Sequence, residues 1–216
     1  TPMRVKVARV ERSGEVAATD DVTPQSGGAT APTFVSGAQA PVLLFVDARA
    51  AISPILQARF DGDGAPNKAE VARPVSHIFE PPQIAGVRAG ERTWVGYTVV
   101  GTAATTAVGL VRVDGDAGAP PVPLVPGTGY GRLDVAATRA GDAALFAASA
   151  PKAPEKDAPR EVHLRRVDAE GPGPVAVVEA PDGTAAHPAV ARSSAGVVGV
   201  SFRAGSGTWA AFLRCD

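Results

Sequence analysis

The side chains able to do chemistry are few and scattered along the chain. His77, His163 and His187 are its three histidines, and Glu80, Asp134 and Asp182 are acids that stand just before apolar tracts. Cleaving a glycosidic bond needs two carboxyls about 5–10 Å apart, and these three acids qualify by position alone. Two imidazoles on one rim could share a metal ion, but loop histidines more often make ordinary hydrogen bonds. Asp61-Gly62-Asp63-Gly64 and Asp114-Gly115-Asp116 alternate carboxylates as calcium loops do. No distal Glu follows at loop spacing, so both read as tight strand-connecting turns. The sequence therefore predicts no metal site and no cofactor. It holds no Gly-x-Ser-x-Gly, no phosphate-cradling loop and no dinucleotide fingerprint, and Gly127-Thr128-Gly129-Tyr130-Gly131 reads as a turn. Trp94 lies in an apolar tract and is expected in the core. Trp209 follows Gly205-Ser206-Gly207 in the last strand; aromatic platforms bind sugar rings, but aromatics are only 5% of this chain, fewer than typical binders expose.

Something must hold these residues in place, and the pattern of the chain says what. An Arg, an apolar residue and an acid recur as Arg9-Val10-Glu11, Arg59-Phe60-Asp61, Arg112-Val113-Asp114, Arg166-Val167-Asp168 and Arg214-Cys215-Asp216, spaced 50, 53, 54 and 48 residues apart. Each follows a strand-like tract, and the first four precede Gly-rich turns. A second landmark keeps the same period. Ile84-Ala85-Gly86-Val87-Arg88-Ala89-Gly90-Glu91 aligns with Val135-Ala136-Ala137-Thr138-Arg139-Ala140-Gly141-Asp142, with Val190 to Gly196 and, more loosely, with Phe34 to Ala40. An apolar strand follows each: Val42 to Val46, Trp94 to Val99, Ala143 to Ala147 and Val197 to Phe202. Four short strands per unit of about fifty residues is the pattern of a β-propeller blade. One such sheet cannot cover both its faces, and packing it between two neighbours does so. Small residues on the inner strand (Ala85, Gly86, Ala136, Ala137, Ala191) fit strands crowded near an axis.

Composition agrees with this architecture. There are 24 glycines and 20 prolines in 216 residues, a density that helices do not tolerate and many-turned sheets require. A formal net charge of −1 gives no electrostatic footprint for nucleic acid. No apolar run is long enough to span a bilayer as a helix. The single cysteine, Cys215, excludes an internal disulfide and leaves a thiol that could meet another chain.

The repeat resembles TolB-like and WD-type propeller repeats, and it is similar to the repeats of secreted myxobacterial envelope proteins. Ala89-Gly90-Glu91 and Ala140-Gly141-Asp142 stand where the TolB repeat has Ser-Pro-Asp-Gly. The resemblance implies a single all-β domain over residues 1–216, a β-propeller of about four blades of four-stranded antiparallel sheet, or a fragment of a larger propeller. Counted from the Arg-apolar-acid strands, the repeats start near residues 4, 54, 107 and 161. Counted from the inner strands, full blades fall at about 31–74, 82–124 and 132–179, with three strands of a fourth at 188–214. The N-terminal strands are then expected to complete the last blade and close the ring. The resemblance also implies a periplasmic, envelope or secreted setting. The leading expectation is a non-catalytic binding or scaffold module whose loops present Gln25, Ser26, His77, Glu80, Tyr130, Arg132, Asp182 and His187 to a protein or glycan partner. The rivals are a carbohydrate-active hydrolase or lyase with its site in the central funnel, and a piece of a multi-chain assembly joined through Cys215 or a terminal strand. Pro151 to Pro159 reads as an exposed charged loop, and His163 is expected to face solvent.

Overall fold

The computed structural model describes residues 4–23, 28–47, 54–73, 83–100, 106–116, 119–129, 134–153, 155 and 158–214. Within them every regular element is a β-strand. A hairpin of β1 (Lys6–Val10) and β2 (Val16–Asp21) comes first. Sheet I follows with β3 (Ala29–Phe34), β4 (Val42–Asp47), β5 (Ile55–Arg59) and β6 (Glu70–Arg73). Sheet II holds β7 (Ile84–Ala89), β8 (Arg92–Val100), β9 (Thr106–Arg112) and β10 (Val122–Gly129). Sheet III holds β11 (Val135–Ala140), β12 (Ala143–Pro151), β13 (Arg160–Val167) and β14 (Pro172–Glu179). Sheet IV holds β15 (Ala186–Arg192), β16 (Val197–Ala204) and β17 (Gly207–Arg214). Each sheet is an antiparallel meander in chain order.

The first strands of the sheets are neighbours: β3 packs beside β7, β7 beside β11, and β11 beside β15. The sheets therefore radiate from a shared hub, with their later strands farther out. Four apolar layers fill the seams. Val5 and Val22 of the hairpin side cover Leu43, Phe45 and Ala58 of sheet I. Leu44, Val46 and Ile55 meet Val95 and Tyr97 of sheet II. Trp94, Leu110 and Leu124 meet Phe146 and Ala148 of sheet III. Leu145, Ala147 and Val162 meet Val198, Val200 and Phe202 of sheet IV. Each fully buried Val, Leu or Phe contributes about 1.5–3 kcal/mol over an exposed one. Strand β12, apolar along almost its whole length, is buried along all of it because both its faces are covered. Strand β14 is mostly exposed, as an outermost strand should be.

The hub is tight where small residues were expected. A Cβ added to Gly86 would lie 2.8 Å from Leu44 Cδ1, and one added to Gly96 would lie 3.0 Å from both Phe146 and Val135. A side chain at either position would make these neighbours shift.

Ring closure differs from the sequence expectation. The β1–β2 hairpin is a two-stranded sheet of its own, and among the described residues it does not pair with β17. The reason lies in the repeat. β1 ends in the Arg9-Val10 signature that also ends β5, β9 and β13, so it holds a third-strand place, and β2 a fourth-strand place beside it. The hairpin accordingly packs against sheet I as the outer half of a preceding sheet would. Below, the upper face is the one where each first strand begins, and the lower face the one where it ends.

Candidate functional site on the upper face

Asp134 is the residue before β11, and its carbonyl accepts the Ser149 amide at 3.1 Å. Its carboxylate crosses the seam to sheet IV. There Oδ2 lies 2.9 Å from His187 Nδ1 and accepts the His187 amide N–H at 3.2 Å. The Asp134 side chain is only 15% exposed, while the imidazole is 63% exposed. His187 reaches this place through a bulge. The β15–β16 register shifts between Ala186 and Ala189, and His187 has φ +49°, a left-handed conformation uncommon for a residue with a side chain. Ala31 has φ +52° within the matching shift between Thr30 and Thr33 of β3. Both residues precede a proline, Pro32 and Pro188. The first strands of sheets I and IV thus share this bulge, and the sequence has set an imidazole on one of the two.

Arg160, at the start of β13, supports this rim from below. Its Nε donates to Ser149 Oγ at 3.1 Å and to the Ala185 carbonyl at 3.3 Å, and a terminal nitrogen donates to the Ser149 carbonyl at 3.2 Å. Ser149, fully buried, donates its own hydroxyl to the Ala185 carbonyl at 2.7 Å. Burial lowers the Arg160 pKa from its ordinary value and the Asp134 charge opposes that shift, so the guanidinium stays charged and joins sheet III to the chain entering sheet IV. The Arg160 amide also donates to the Gly183 carbonyl.

Asp182 organises the neighbouring turn. Its Oδ1 accepts the Thr184 hydroxyl at 2.8 Å and the Thr184 amide at 3.0 Å. Thr184 Oγ1 in turn accepts the Gly205 amide at 2.7 Å, which ties the loop before β15 to the turn between β16 and β17. Gly205 has φ +56°, and a Cβ there would collide with Asp182 Oδ2, so glycine is required twice over. The Thr184 hydrogen bonds, the hydroxyl's first, hold the Asp182 carboxyl below its ordinary value. Beside it opens a cleft of about 370 Å³ lined by Asp182, Ala204, Ser206, Gly207, Thr208 and Trp209. Trp209 pairs across the sheet with Phe202 yet remains 47% exposed. A carboxylate whose pKa is lowered by its Thr184 hydrogen bonds, two hydroxyls and a flat apolar ring thus line one opening.

Comparison with solved structures gives the architecture its name. The chain is similar to a point mutant of NanB sialidase from Streptococcus pneumoniae, with a TM-score of 0.56 and 14% identity, over 89% of this chain and 31% of that one. It is also similar to an exo-1,5-α-L-arabinanase from a bovine ruminal metagenomic library, with a TM-score of 0.44 and 11% identity, over 82% of this chain and 69% of that one. The fold is a β-propeller. The chain spans about a third of the length of the sialidase it matches. No protein-family model matches it, and no curated protein does.

Within the propeller, sheets I to IV are blades. The upper face carries the turns between second and third strands as well as the loops that lead into the first strands. Of the eight residues singled out from the sequence, Asp182 and His187 sit on this face at the seam of blades III and IV. Gln25, Ser26, His77, Glu80, Tyr130 and Arg132 lie outside the described residues, as does Cys215. Asp134, picked out as a positional acid, joins His187. Arg160, Ser149 and Thr184 were not singled out. The Asp-Gly-Thr spacing of an Asx-type turn was the available signal for Thr184, whereas nothing local marked Arg160, which lies just past the charged loop.

His163 differs from expectation. Its side chain is 13% exposed on the interior strand β13, and Nε2 lies 2.9 Å from Glu161 Oε1, while Nδ1 is buried without a hydrogen-bond partner among the described residues. His163 shares its face of β13 with Arg165, which donates to the Pro123 carbonyl of β10, so this face turns toward sheet II and is partly covered by it. Trp94 is in the core. Asp61 serves its turn, accepting the Asp63 amide at 3.0 Å and the Ala65 amide at 2.8 Å.

Proposed function

We propose that this chain is the ligand-binding part of a carbohydrate-directed β-propeller that takes a glycan on its upper face. One observation carries the reading: the exposed indole of Trp209 and the carboxylate of Asp182 line the same cleft. Sugar rings present C–H faces that stack on an indole and hydroxyls that donate to a carboxylate. The low Asp182 pKa suits an acceptor and does not suit a proton donor. The envelope or secreted setting expected from the TolB-like resemblance belongs to the same proposal.

The test is binding. Neutral and acidic oligosaccharides should be titrated while tryptophan fluorescence and heat are followed. With Trp94 buried and Trp209 exposed, the ligand-induced fluorescence change should survive Trp94→Phe. It should vanish with Trp209→Ala, which should also weaken binding about tenfold or more. Trp209→Ala binding glycans as tightly as the parent would sink the reading.

A second reading, glycoside hydrolysis, is supported by the half-sequestered Asp134 carboxylate on the same rim and by the likeness in fold to a sialidase. Chromogenic glycosides decide it. Turnover that falls about a thousandfold with Asp134→Asn would establish it. No turnover by a chain that still binds glycans would end it and leave the binding reading intact.

A further inference from the structure

We propose that the lower face of the hub holds an oxyanion-binding site between blades III and IV, formed by Arg139 and Arg192 with the hydroxyls of Thr138, Ser193 and Ser194. It lies at the opposite end of β11 and β15 from the glycan cleft and is independent of it.

The site comes from the repeat. Arg88 faces Thr93 at the end of β7, Arg139 faces Ala144 at the end of β11, and Arg192 faces Val198 at the end of β15. Each arginine thus holds the same place on its blade, at the last turn before the second strand. Sequence alignment on the turn glycines matches Arg88 with Ser194, because Arg192 stands four residues before Gly196 whereas Arg88 stands two before Gly90; between the paired residues the β15–β16 connection is longer by one. Between blades III and IV the turns border an open surface depression of about 380 Å³ lined by Thr138, Arg139, Gly141, Asp142, Arg192, Ser193 and Ser194. That volume admits a phosphate, a sulfate or the acidic end of a sugar.

The donors there are available. Arg192 makes no side-chain hydrogen bond or ion pair with a described residue; its guanidinium lies beside Gly196. Arg139 commits Nε to the Gly141 carbonyl at 2.7 Å, and its nearest charge partner is Asp142 at 3.7 Å. Its remaining N–H groups can turn to a ligand. Ser193 Oγ accepts the Val197 amide at 3.2 Å, so its hydroxyl proton remains to be donated. Asp142, 97% exposed, is the acid among the lining residues, against two guanidinium groups. A planar guanidinium donates two parallel hydrogen bonds to an oxyanion, and these charge-assisted bonds are about twice as strong as neutral ones. Hydroxyl donors and two cations lining one depression favour an anion over a neutral sugar.

The experiment titrates this chain with sodium phosphate, sodium sulfate and sodium glucuronate at matched ionic strength against sodium chloride, by calorimetry and thermal shift. Saturable binding of at least one over chloride is expected. Phosphate or sulfate alone would point to an esterified ligand, and glucuronate alone to an acidic sugar. Arg192→Gln should weaken binding about tenfold, and Arg192→Lys should retain part of it. Asp142→Asn should strengthen it about threefold. Arg192 is on the surface, so its variants should fold. Should Arg192→Gln fail to fold, Ser194→Glu, which sets a carboxylate in the depression, must abolish binding. The proposal is overturned when none of the three anions binds saturably, or when Arg192→Gln or Ser194→Glu binds as well as the parent.

Discussion

The seam between blades II and III and the seam between blades III and IV are built from the same repeat and finish differently at the upper rim. In blade II, Thr98 accepts the Gln83 amide on its hydroxyl at 3.1 Å and donates its own amide to the Gln83 carbonyl at 3.1 Å. In blade III, Ser149 and Asp134 hold the same two places, with the Ser149 amide donating to the Asp134 carbonyl. There the hydroxyl reaches out of its blade to the Ala185 carbonyl, with Arg160 beneath and His187 above. One pair closes a blade's own edge and the other ties two blades together. A change from amide to carboxylate at one repeat position, with an arginine to balance it, separates a structural rim from a rim that can meet a ligand. A hydrogen-bonded network centred on the buried Ser149 also favours one arrangement of the seam.

The largest expected effect breaks this tie. Arg160→Ala leaves the Ala185 carbonyl and Ser149 short of a donor and Asp134 short of a cation, and should lower stability by about 3 kcal/mol in urea unfolding. Next, Gly96→Ala tests the seam between blades II and III. Its Cβ would press on Phe146 and Val135, with an expected loss of about 1–3 kcal/mol. Gly199→Ala is the control, since its Cβ would be 3.6 Å from Phe212, in ordinary contact. If both alanines are tolerated equally, the seams are not as tight as described. Ser149→Ala should cost about 1–2 kcal/mol and Thr98→Val less, because the first hydroxyl serves two blades and the second one. Equal losses would erase the contrast.

The smallest effect concerns pH. The Asp182 carboxyl is held below its ordinary value of 3.8, chiefly by the Thr184 hydroxyl. A depressed carboxyl contributes stability that is present above the ordinary value and lost as pH falls through the lowered one. Glycan affinity and the turn should therefore be unchanged from neutral pH down to about pH 4 and decline only below it. An Asp182→Asn variant should lack that acid limb. Affinity already declining near pH 6 would show that another group governs the cleft.

Much of the blade pattern was legible in the residues. Continuous apolar tracts such as Leu43 to Val46 could only be strands covered on both faces, and the turn glycines marked where they end. The Arg-apolar-acid landmark placed β5, β9 and β13 correctly. His163 was misplaced because alternation reports which residues share a face, and it does not report whether another blade covers that face. The upper-face site was legible only in part. Asp182, His187 and Asp134 could be picked out as polar residues before first strands, whereas Arg160 became part of the site only once β13 was seen to start beneath Ala185.

The sequence by itself determined the repeat, the strands and the turns, because hydrophobic alternation, glycine and proline act over a few residues. Tertiary structure decided which copies of a repeated position face one another. The hairpin's place against blade I, the bond between Asp134 and His187, and the alignment of Arg192 with Arg88 and Arg139 all depend on registers and bulges. A shift of one or two residues in a turn moves every later side chain to a new place, and only packing between blades selects among such shifts.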